Sequence, residues 1–180
     1  MRPRVFGVGL SKTGTTSLCK MLRMLGWKNV GHYVLEASTY DEYDAIADLP
    51  VATRYHMLDL RFPGSRFVLT TRNVESWLRS CERWVNKRPS RPGQMSDIRL
   101  ETYGTTTFDE HMFREAYLRH EKCVKDYMRG HAPDRFVEIP LCDHYTCDED
   151  KWFALCNLVG VPTPPRGTPV PWENPSWKDI

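Results

Sequence analysis

The sequence predicts an α/β protein with one three-layer α/β/α domain over residues 1–180 and a central parallel sheet. Strand-like and helix-like segments alternate along the chain, residues 66–72 form an apolar run typical of buried parallel strands, and the first strand turns directly into a helix. A length of 180 residues, with 41% hydrophobic and 27% charged residues, suits a single domain with its own core.

The first unit is a strand, a loop of small residues and a helix. Apolar residues at 5–8 indicate the strand, and apolar residues spaced i, i+3, i+4 and i+7 from Leu18 to Leu25 indicate the helix. The loop between them contains Lys12, Thr13, Gly14, Thr15, Thr16 and Ser17. In this geometry, loop amides and a helix N-terminus converge on an anion, and the lysine adds a positive charge. We therefore interpret the segment as a phosphate-binding loop.

The next elements are shorter. A second strand is predicted at residues 29–33, and an acidic helix from Thr39 to Ala47. Pro50 ends that helix, because the residue before a proline is pushed out of the helical region. A short helix is then expected over residues 51–60.

The strand at 66–72 leads to a second amphipathic helix. Asn73 is a plausible N-cap, and the helix after it carries apolar residues on one face: Val74, Trp77, Leu78, Cys81, Trp84 and Val85. Residues 87–107 then lose periodicity and are rich in Pro, Ser, Arg, Gly and Thr. We expect a functional or mobile loop there.

The last third of the chain contains a long amphipathic helix at 109–129, a strand at 135–139 and a helix at 148–158. Met112 and Phe153 are among the residues expected to face inward from these helices. The proline-rich tail, residues 161–180, is expected to be an extended strap or partly disordered.

A second basic position lies at the end of the buried strand. Arg72 falls on the same sheet edge as the Lys12 loop, and Ser76 and Ser80 follow it on one face of the next helix. A guanidinium with nearby hydroxyls can hold a second phosphate, because arginine offers a fork of donors. Taken singly, Arg72 is better explained by a helix-capping or surface ion pair, and Ser80 by an ordinary helical serine.

The composition and charge argue against several classes of protein. A formal net charge of +2 gives no general attraction to nucleic acid or membranes, and no apolar run reaches the length of a membrane helix. The N-terminal apolar stretch is too brief for a secretory signal. The six cysteines have no framework spacing, so a reduced, cytoplasmic protein is expected. Cys142-x-His144-x-x-Cys147 lacks a second ligand pair, so no metal is expected.

These motifs resemble those of sulfotransferases that use 3′-phosphoadenosine-5′-phosphosulfate (PAPS). The order Lys12-Thr13-Gly14-Thr15-Thr16-Ser17-Leu18 differs from the Walker pattern, in which the lysine follows the glycine, and is similar to the sulfotransferase 5′-phosphosulfate loop. The Arg72-Asn73 pair, with Ser80 eight residues after Arg72, is similar to the 3′-phosphate segment. Further similarities are Asp48-Leu49-Pro50, Leu158-Val159-Gly160-Val161-Pro162 and the segment 168–174.

The resemblance spans nearly the whole chain and implies a P-loop NTPase-like fold and a set of roles. Lys12 would contact the bridging oxygen of the phosphosulfate, and the loop amides of Thr13, Gly14, Thr15, Thr16 and Ser17 would surround the 5′-phosphate. Arg72 and Ser80 would hold the 3′-phosphate. Arg166-Gly167 is weakly similar to the Arg-Lys-Gly loop that closes over that phosphate in cytosolic members.

The acceptor needs a general base near the sulfur. Asp48 occupies a place similar to the histidine of a His-Leu-Pro segment in cytosolic sulfotransferases, so it is the first candidate. His32, Glu36 and His56 are the alternatives. A helix-end carboxylate and packed histidines are the plain structural interpretations of the same residues.

The resulting functional hypothesis is in-line sulfuryl transfer from PAPS to a hydroxyl or amine of a small acceptor, without metal or covalent enzyme intermediate. The expected partner is this small molecule, with no nucleic acid or membrane, and a homodimer is left open. One alternative is a P-loop kinase, but the central strand ends in Thr71-Arg72 where a kinase would carry a Walker-B aspartate. The other alternative is a non-catalytic protein that binds PAPS or its product.

Overall fold

The fold is built on a five-stranded sheet in which every neighbouring pair of strands is parallel. The computed structural model describes residues 2–87 and 93–172. In chain order the strands are β1 (Val5–Gly7), β2 (Val30–His32), β3 (Ala45–Ala47), β4 (Arg66–Thr70) and β5 (Phe136–Ile139). Their order across the sheet is β2-β3-β1-β4-β5. The connections therefore reverse direction at β1, and parallel α/β sheets bind ligands at the carboxyl ends of strands at such a point.

Helices cover both faces of the sheet, which confirms the predicted three-layer α/β/α class. The helices are α1 (Thr15–Met24), α2 (Tyr55–Arg61), α3 (Val74–Lys87), α4 (Gln94–Tyr103), α5 (Glu110–His131) and α6 (Asp148–Val159). One core cluster joins α1 and α6 to Val5 and Val68, whereas another joins α2 and α5 to Phe6 and Phe67. Alternate residues of the central strands thus face opposite layers, as the pleat requires.

The predicted acidic helix from Thr39 to Ala47 is wrong. A 3₁₀ helix covers Ala37–Glu42, and residues 45–47 form β3 instead. These three residues pair with β1 on one side and β2 on the other. Small side chains are needed there, because a Cβ placed on Gly7 would lie 2.5 Å from the Ala47 Cβ. Pairing and burial in the sheet outweigh the helical preference of alanine.

The predicted loop at 87–107 is wrong over residues 94–103, which form α4. Hydrophobic periodicity does not predict this helix, because its inward face includes the polar residues Arg99 and Thr102, whereas Met95 and Leu100 are exposed. Residues 88–92 of the predicted loop lie outside the described part of the chain.

The other elements follow the sequence closely, with two exceptions among side chains. Met112 and Phe153 were expected inside, but they are 37% and 64% exposed. Met112 lies over Gly104, and Phe153 lines a surface groove with the prolines after α6.

The tail after α6 has neither helix nor strand over residues 161–172, and it lies against α6. Trp152 Nε1 donates to Thr168 O at 3.0 Å, and Val170 N donates to Asp148 Oδ2 at 2.9 Å. The end of the predicted strap, residues 173–180, lies outside the described residues. Within residues 2–87 and 93–172, no helix has the length and hydrophobicity to span a membrane.

Candidate active site

The loop between β1 and α1 depends on two glycines. Gly14 is the N-cap of α1 and has φ 101°, a left-handed conformation that side chains rarely adopt. A Cβ on Gly14 would also lie 2.9 Å from the Leu141 Cβ. Gly9 passes so close to β4 that a Cβ there would lie 2.0 Å from Thr70 Oγ1. Both glycines are therefore required for the path of the loop.

Hydrogen bonds from β4 and α3 hold this loop. Thr13 Oγ1 donates to Leu10 O at 2.6 Å and lies 2.6 Å from Thr70 Oγ1. Trp77 Nε1 donates to Ser11 O at 2.9 Å. The loop backbone is thus fixed at its start, where an anion-binding loop must be rigid.

Lys12 lies half-buried in this loop with φ 73°. Burial lowers the pKa of Lys12; Cys81 opposes this shift, the Arg72 guanidinium adds to it, and Asp48 opposes it. Two cationic groups share this end of the sheet, which is a favourable environment for a polyanion.

Arg72 lies against the loop between β1 and α1. Its Nη1 donates to Lys12 O at 3.2 Å, and its Nε donates to Ser76 Oγ at 3.0 Å. Ser80, one turn further along α3, is 4% exposed. Asn73 is the predicted cap of that helix, since its Oδ1 accepts from Ser76 N at 3.1 Å.

Asp48 is buried directly beneath the loop, with φ 80°. Its Oδ1 accepts from Ser11 Oγ and from Leu49 N, the latter at 2.7 Å. Its Oδ2 accepts from Thr15 Oγ1 at 2.7 Å and lies 3.0 Å from His32 Nε2. Burial alone would raise the pKa of Asp48, but the contact with His32 and the bonds from Ser11 and Thr15 outweigh it and lower the pKa. A carboxylate with both oxygens engaged in this way is a weak proton acceptor.

His32 lies at the end of β2, and its side chain is 33% exposed. Besides Asp48, its Nε2 lies 3.2 Å from Thr15 Oγ1 and 3.2 Å from Thr16 Oγ1. The structure therefore joins Asp48, His32 and the loop threonines in one cluster, although they come from three separate segments of the sequence.

Four other predicted site residues lie outside this cluster. The ring of His56 packs 4.7 Å from Tyr55 and 6.0 Å from Tyr127. Gly167 N donates to Glu149 Oε1 at 3.2 Å, at the start of α6, and the adjacent Arg166 is exposed. Glu36 is exposed where the 3₁₀ helix begins.

The family of the chain follows from comparison with known proteins. The family described as "Sulfotransferase domain" matches residues 4–39 and 35–178. The chain belongs to this sulfotransferase domain family. The crystal structure of a sulfotransferase from Alicyclobacillus acidocaldarius matches with a TM-score of 0.60 and 14% identity, covering 99% of this chain and 89% of that chain. At this identity the likeness supports the fold alone, and no curated protein matches the chain significantly.

Sequence reasoning missed several residues that organise this sulfotransferase-family site. Ser11 was not assigned a role, although it bonds to Asp48. The apolar pattern of α3 indicates only a core position for Trp77, and no sequence motif assigns a role to Tyr117. Both use a polar atom at the site: Trp77 bonds to Ser11 O, and Tyr117 bonds to the backbone of Arg72. The residue types alone indicate such bonds, because the polar atom of a buried Trp or Tyr usually needs a hydrogen-bond partner.

Aromatic residues cover one side of the site. Tyr33 follows His32 directly, and its hydroxyl contacts Met95 Sδ on α4. Burial raises the pKa of Tyr33 to about 12, with a further contribution from Asp48. Eight residues, or about two turns, beyond Met95 on α4, Tyr103 is fully buried and stacks on Phe113 at 4.2 Å between ring centroids. The α4 helix thus forms part of an apolar wall beside Asp48.

A cavity of about 430 Å³ lies just after β5. It is lined by Asp143, His144, Thr146, Cys147, Asp148, Lys151 and Trp172. The ring centroids of His144 and Trp172 are 4.6 Å apart. Cys142, which immediately precedes this lining, approaches Gly14, since a Cβ there would lie 3.3 Å from its Sγ. In the described part of the chain, no three His, Cys, Asp or Glu side chains gather to form a metal site.

Proposed function

We propose that this chain transfers the sulfuryl group of PAPS to a hydroxyl or amine of a small acceptor. The observation that carries the proposal is the contact between the two basic segments, in which Arg72 Nη1 lies 3.2 Å from Lys12 O. This contact brings a phosphate-binding loop and a strand-end guanidinium together at one edge of the sheet. The pairing suits a nucleotide with phosphates at two positions, and membership of the sulfotransferase family supports sulfuryl transfer.

The donor would be held by both segments. The amides of residues 13–17 and the Thr15 and Thr16 hydroxyls would bind the 5′-phosphosulfate, while Arg72 and Ser80 would bind the 3′-phosphate. The acceptor atom would form a bond to sulfur as the bond from sulfur to the 5′-phosphate oxygen breaks. Lys12 would counter the charge that develops on this leaving oxygen. The product would be 3′,5′-bisphosphoadenosine.

Of the candidate bases, His32 fits the geometry better than Asp48. Both carboxylate oxygens of Asp48 accept hydrogen bonds. In contrast, His32 directs Nε2 toward Asp48, which leaves Nδ1 as the second ring nitrogen for proton transfer. If Nε2–H donates to Asp48, Nδ1 is the proton acceptor. Asp48 would then fix the tautomer and stabilise the imidazolium that forms.

The nucleobase has a suitable place in the cavity after β5. Its volume of about 430 Å³ is in the range of small-molecule pockets, and the rings of His144 and Trp172 offer a surface for stacking. Cys142 directly precedes the cavity lining and lies close to Gly14, so the cavity adjoins the loop between β1 and α1.

Titration calorimetry would test the donor site. We expect 3′,5′-bisphosphoadenosine to bind without Mg²⁺ and more tightly than ADP or ATP. Arg72→Ala should weaken this binding on the order of 10–100-fold, because a charge-assisted contact to a phosphate contributes about 1.5–3 kcal/mol. Arg79→Ala, which removes an exposed arginine of the same helix region, is the matched control and should bind as wild type.

The alternatives predict different results. A preference for ATP with Mg²⁺ would favour a P-loop kinase, and indifference to Arg72→Ala would contradict the proposed donor site. If the bisphosphate binds as expected but PAPS sulfonates none of a broad set of phenols, alcohols and amines, the non-catalytic binding protein becomes the better interpretation.

A further inference from the structure

The hydroxyl of Tyr117, on α5, lies within reach of the Glu121 carboxylate and hydrogen-bonds to both backbone groups of Arg72. It accepts from Arg72 N at 3.0 Å and donates to Arg72 O at 2.6 Å. The ladder between β4 and β5 ends just before this point, since Thr71 N makes the last bond, to Ile139 O at 3.1 Å. One side chain therefore satisfies the donor and the acceptor that a neighbouring strand would otherwise satisfy.

The ring of Tyr117 is itself held in place. It is 3% exposed and lies 4.6 Å from the Trp77 ring, centroid to centroid. Trp77 is fully buried and donates its indole N–H to Ser11 O at 2.9 Å. The aromatic pair thus places the indole nitrogen of Trp77 against Ser11 in the loop and the hydroxyl of Tyr117 against Arg72, two residues after β4.

Arg72 is consequently located from two directions. Its backbone is bonded to Tyr117, while its side chain reaches Lys12 O at 3.2 Å and Ser76 Oγ at 3.0 Å. A guanidinium at a strand end would otherwise have to be ordered when the ligand binds. Ordering it beforehand reduces this cost and fixes the spacing between the two basic segments.

We propose that Tyr117 is a positioning residue for the second phosphate: by fixing the backbone of Arg72 next to the Lys12 loop, it gives the site its preference for a nucleotide with two separate phosphates over one with a 5′-phosphate alone. The proposal rests on the proposed function, because it assumes that Arg72 binds the 3′-phosphate. Tyr117 touches neither ligand nor reacting atoms in this scheme.

The test compares two ligands in calorimetry: 3′,5′-bisphosphoadenosine and adenosine 5′-monophosphate, which lacks the 3′-phosphate. Tyr117→Phe keeps the ring and removes both hydrogen bonds. We expect its affinity for the bisphosphate to fall about 5–30-fold, since two hydrogen bonds are lost. Its affinity for the monophosphate should stay within about twofold of wild type, because the loop that binds the shared 5′-phosphate is unchanged.

A double-mutant cycle separates positioning from a general loss of structure. In the Arg72→Ala background, Tyr117→Phe should have no further effect on bisphosphate binding, because the group that it positions is gone. Tyr127→Phe is the matched control on the same helix, because the Tyr127 hydroxyl bonds to Asp59 Oδ2 at 3.3 Å. This substitution should leave the ligand preference unchanged.

Four outcomes would overturn the proposal. Tyr117→Phe could weaken both ligands equally, which would indicate a general structural role, or it could leave both affinities at the wild-type level. Wild type could fail to prefer the bisphosphate, or Arg72→Ala could bind it as well as wild type does; in these last two cases the proposed function would fail together with this inference. The first two outcomes leave the Arg72 dependence intact, so the two failures are distinguishable.

Discussion

Asp48 illustrates how a single residue changes its expected role once its neighbours are known. By position it is the first candidate for the general base, but its carboxylate accepts from Ser11, Thr15 and Leu49 N and also contacts His32. These contacts hold its pKa below the usual range. The carboxylate instead fixes the loop between β1 and α1 and the ring of His32.

This assignment predicts how each substitution changes the rate. With an acceptor that wild type sulfonates, His32→Gln should lower kcat about 10²–10⁴-fold, because a general base is lost. Asp48→Asn should also lower kcat, since His32 loses the carboxylate that orients its ring. Steady-state kinetics at one fixed pH measure both effects.

His56→Gln is the control, because the ring of His56 packs on Tyr55 and Tyr127. It should keep the wild-type rate. If His32→Gln kept the wild-type rate while Asp48→Asn abolished activity, Asp48 would be the base after all.

At the scale of secondary structure, the strand-loop-helix unit that starts with β1 depends on Gly14. Gly14→Ala should destabilise the fold by about 1–3 kcal/mol, because alanine is strained at φ 101° and its Cβ would approach Leu141. It should also weaken bisphosphate binding, since the loop amides would move. Urea unfolding and calorimetry measure the two effects.

Gly130→Ala provides the contrast. Gly130 lies within α5, and a Cβ there would meet no atom within 4 Å. Alanine should therefore stabilise the fold by roughly 0.5–1 kcal/mol through helix propensity. Equal effects of the two substitutions would contradict the role given to Gly14.

Elements with a clear period or a local cap were predictable, and those decided by distant contacts were not. The buried run of β4 and the Asn73 cap of α3 are visible in the sequence. In contrast, β3 forms because Ala45–Ala47 fits between two strands, and α4 buries Arg99 while exposing Leu100. For the candidate site, the loop and Arg72 were recognisable, but the bonds from Trp77 and Tyr117 depend on tertiary packing.

At the scale of the whole molecule, a hydrogen bond from His120 joins helix α5 to Val8, the residue after β1. His120 Nε2 lies 2.7 Å from Val8 O, so the neutral ring donates to this carbonyl. Burial lowers the pKa of His120, although the bond to Val8 opposes the shift, and Arg119 lowers it further. The unfolded chain binds a proton at this histidine more readily than the folded one.

Stability should therefore fall as the pH is lowered through this residue's range. The contribution is complete above the unfolded pKa of about 6.5 and is lost progressively below it, because protons favour the unfolded state. We expect His120→Gln to make the free energy of unfolding less dependent on pH between about 8 and 5. His111→Gln, at an exposed position of the same helix, is the control and should keep the wild-type slope.

The place of β1 in the sheet has a consequence for biosynthesis. Of the five described strands it is synthesised first, yet its two neighbours in the described sheet begin at residues 45 and 66. Until those segments emerge, both edges of an apolar strand lack their partners in the nascent chain. Such late, non-local pairing is slow and exposes chains to aggregation, so production of this protein should benefit from slower translation or added chaperones.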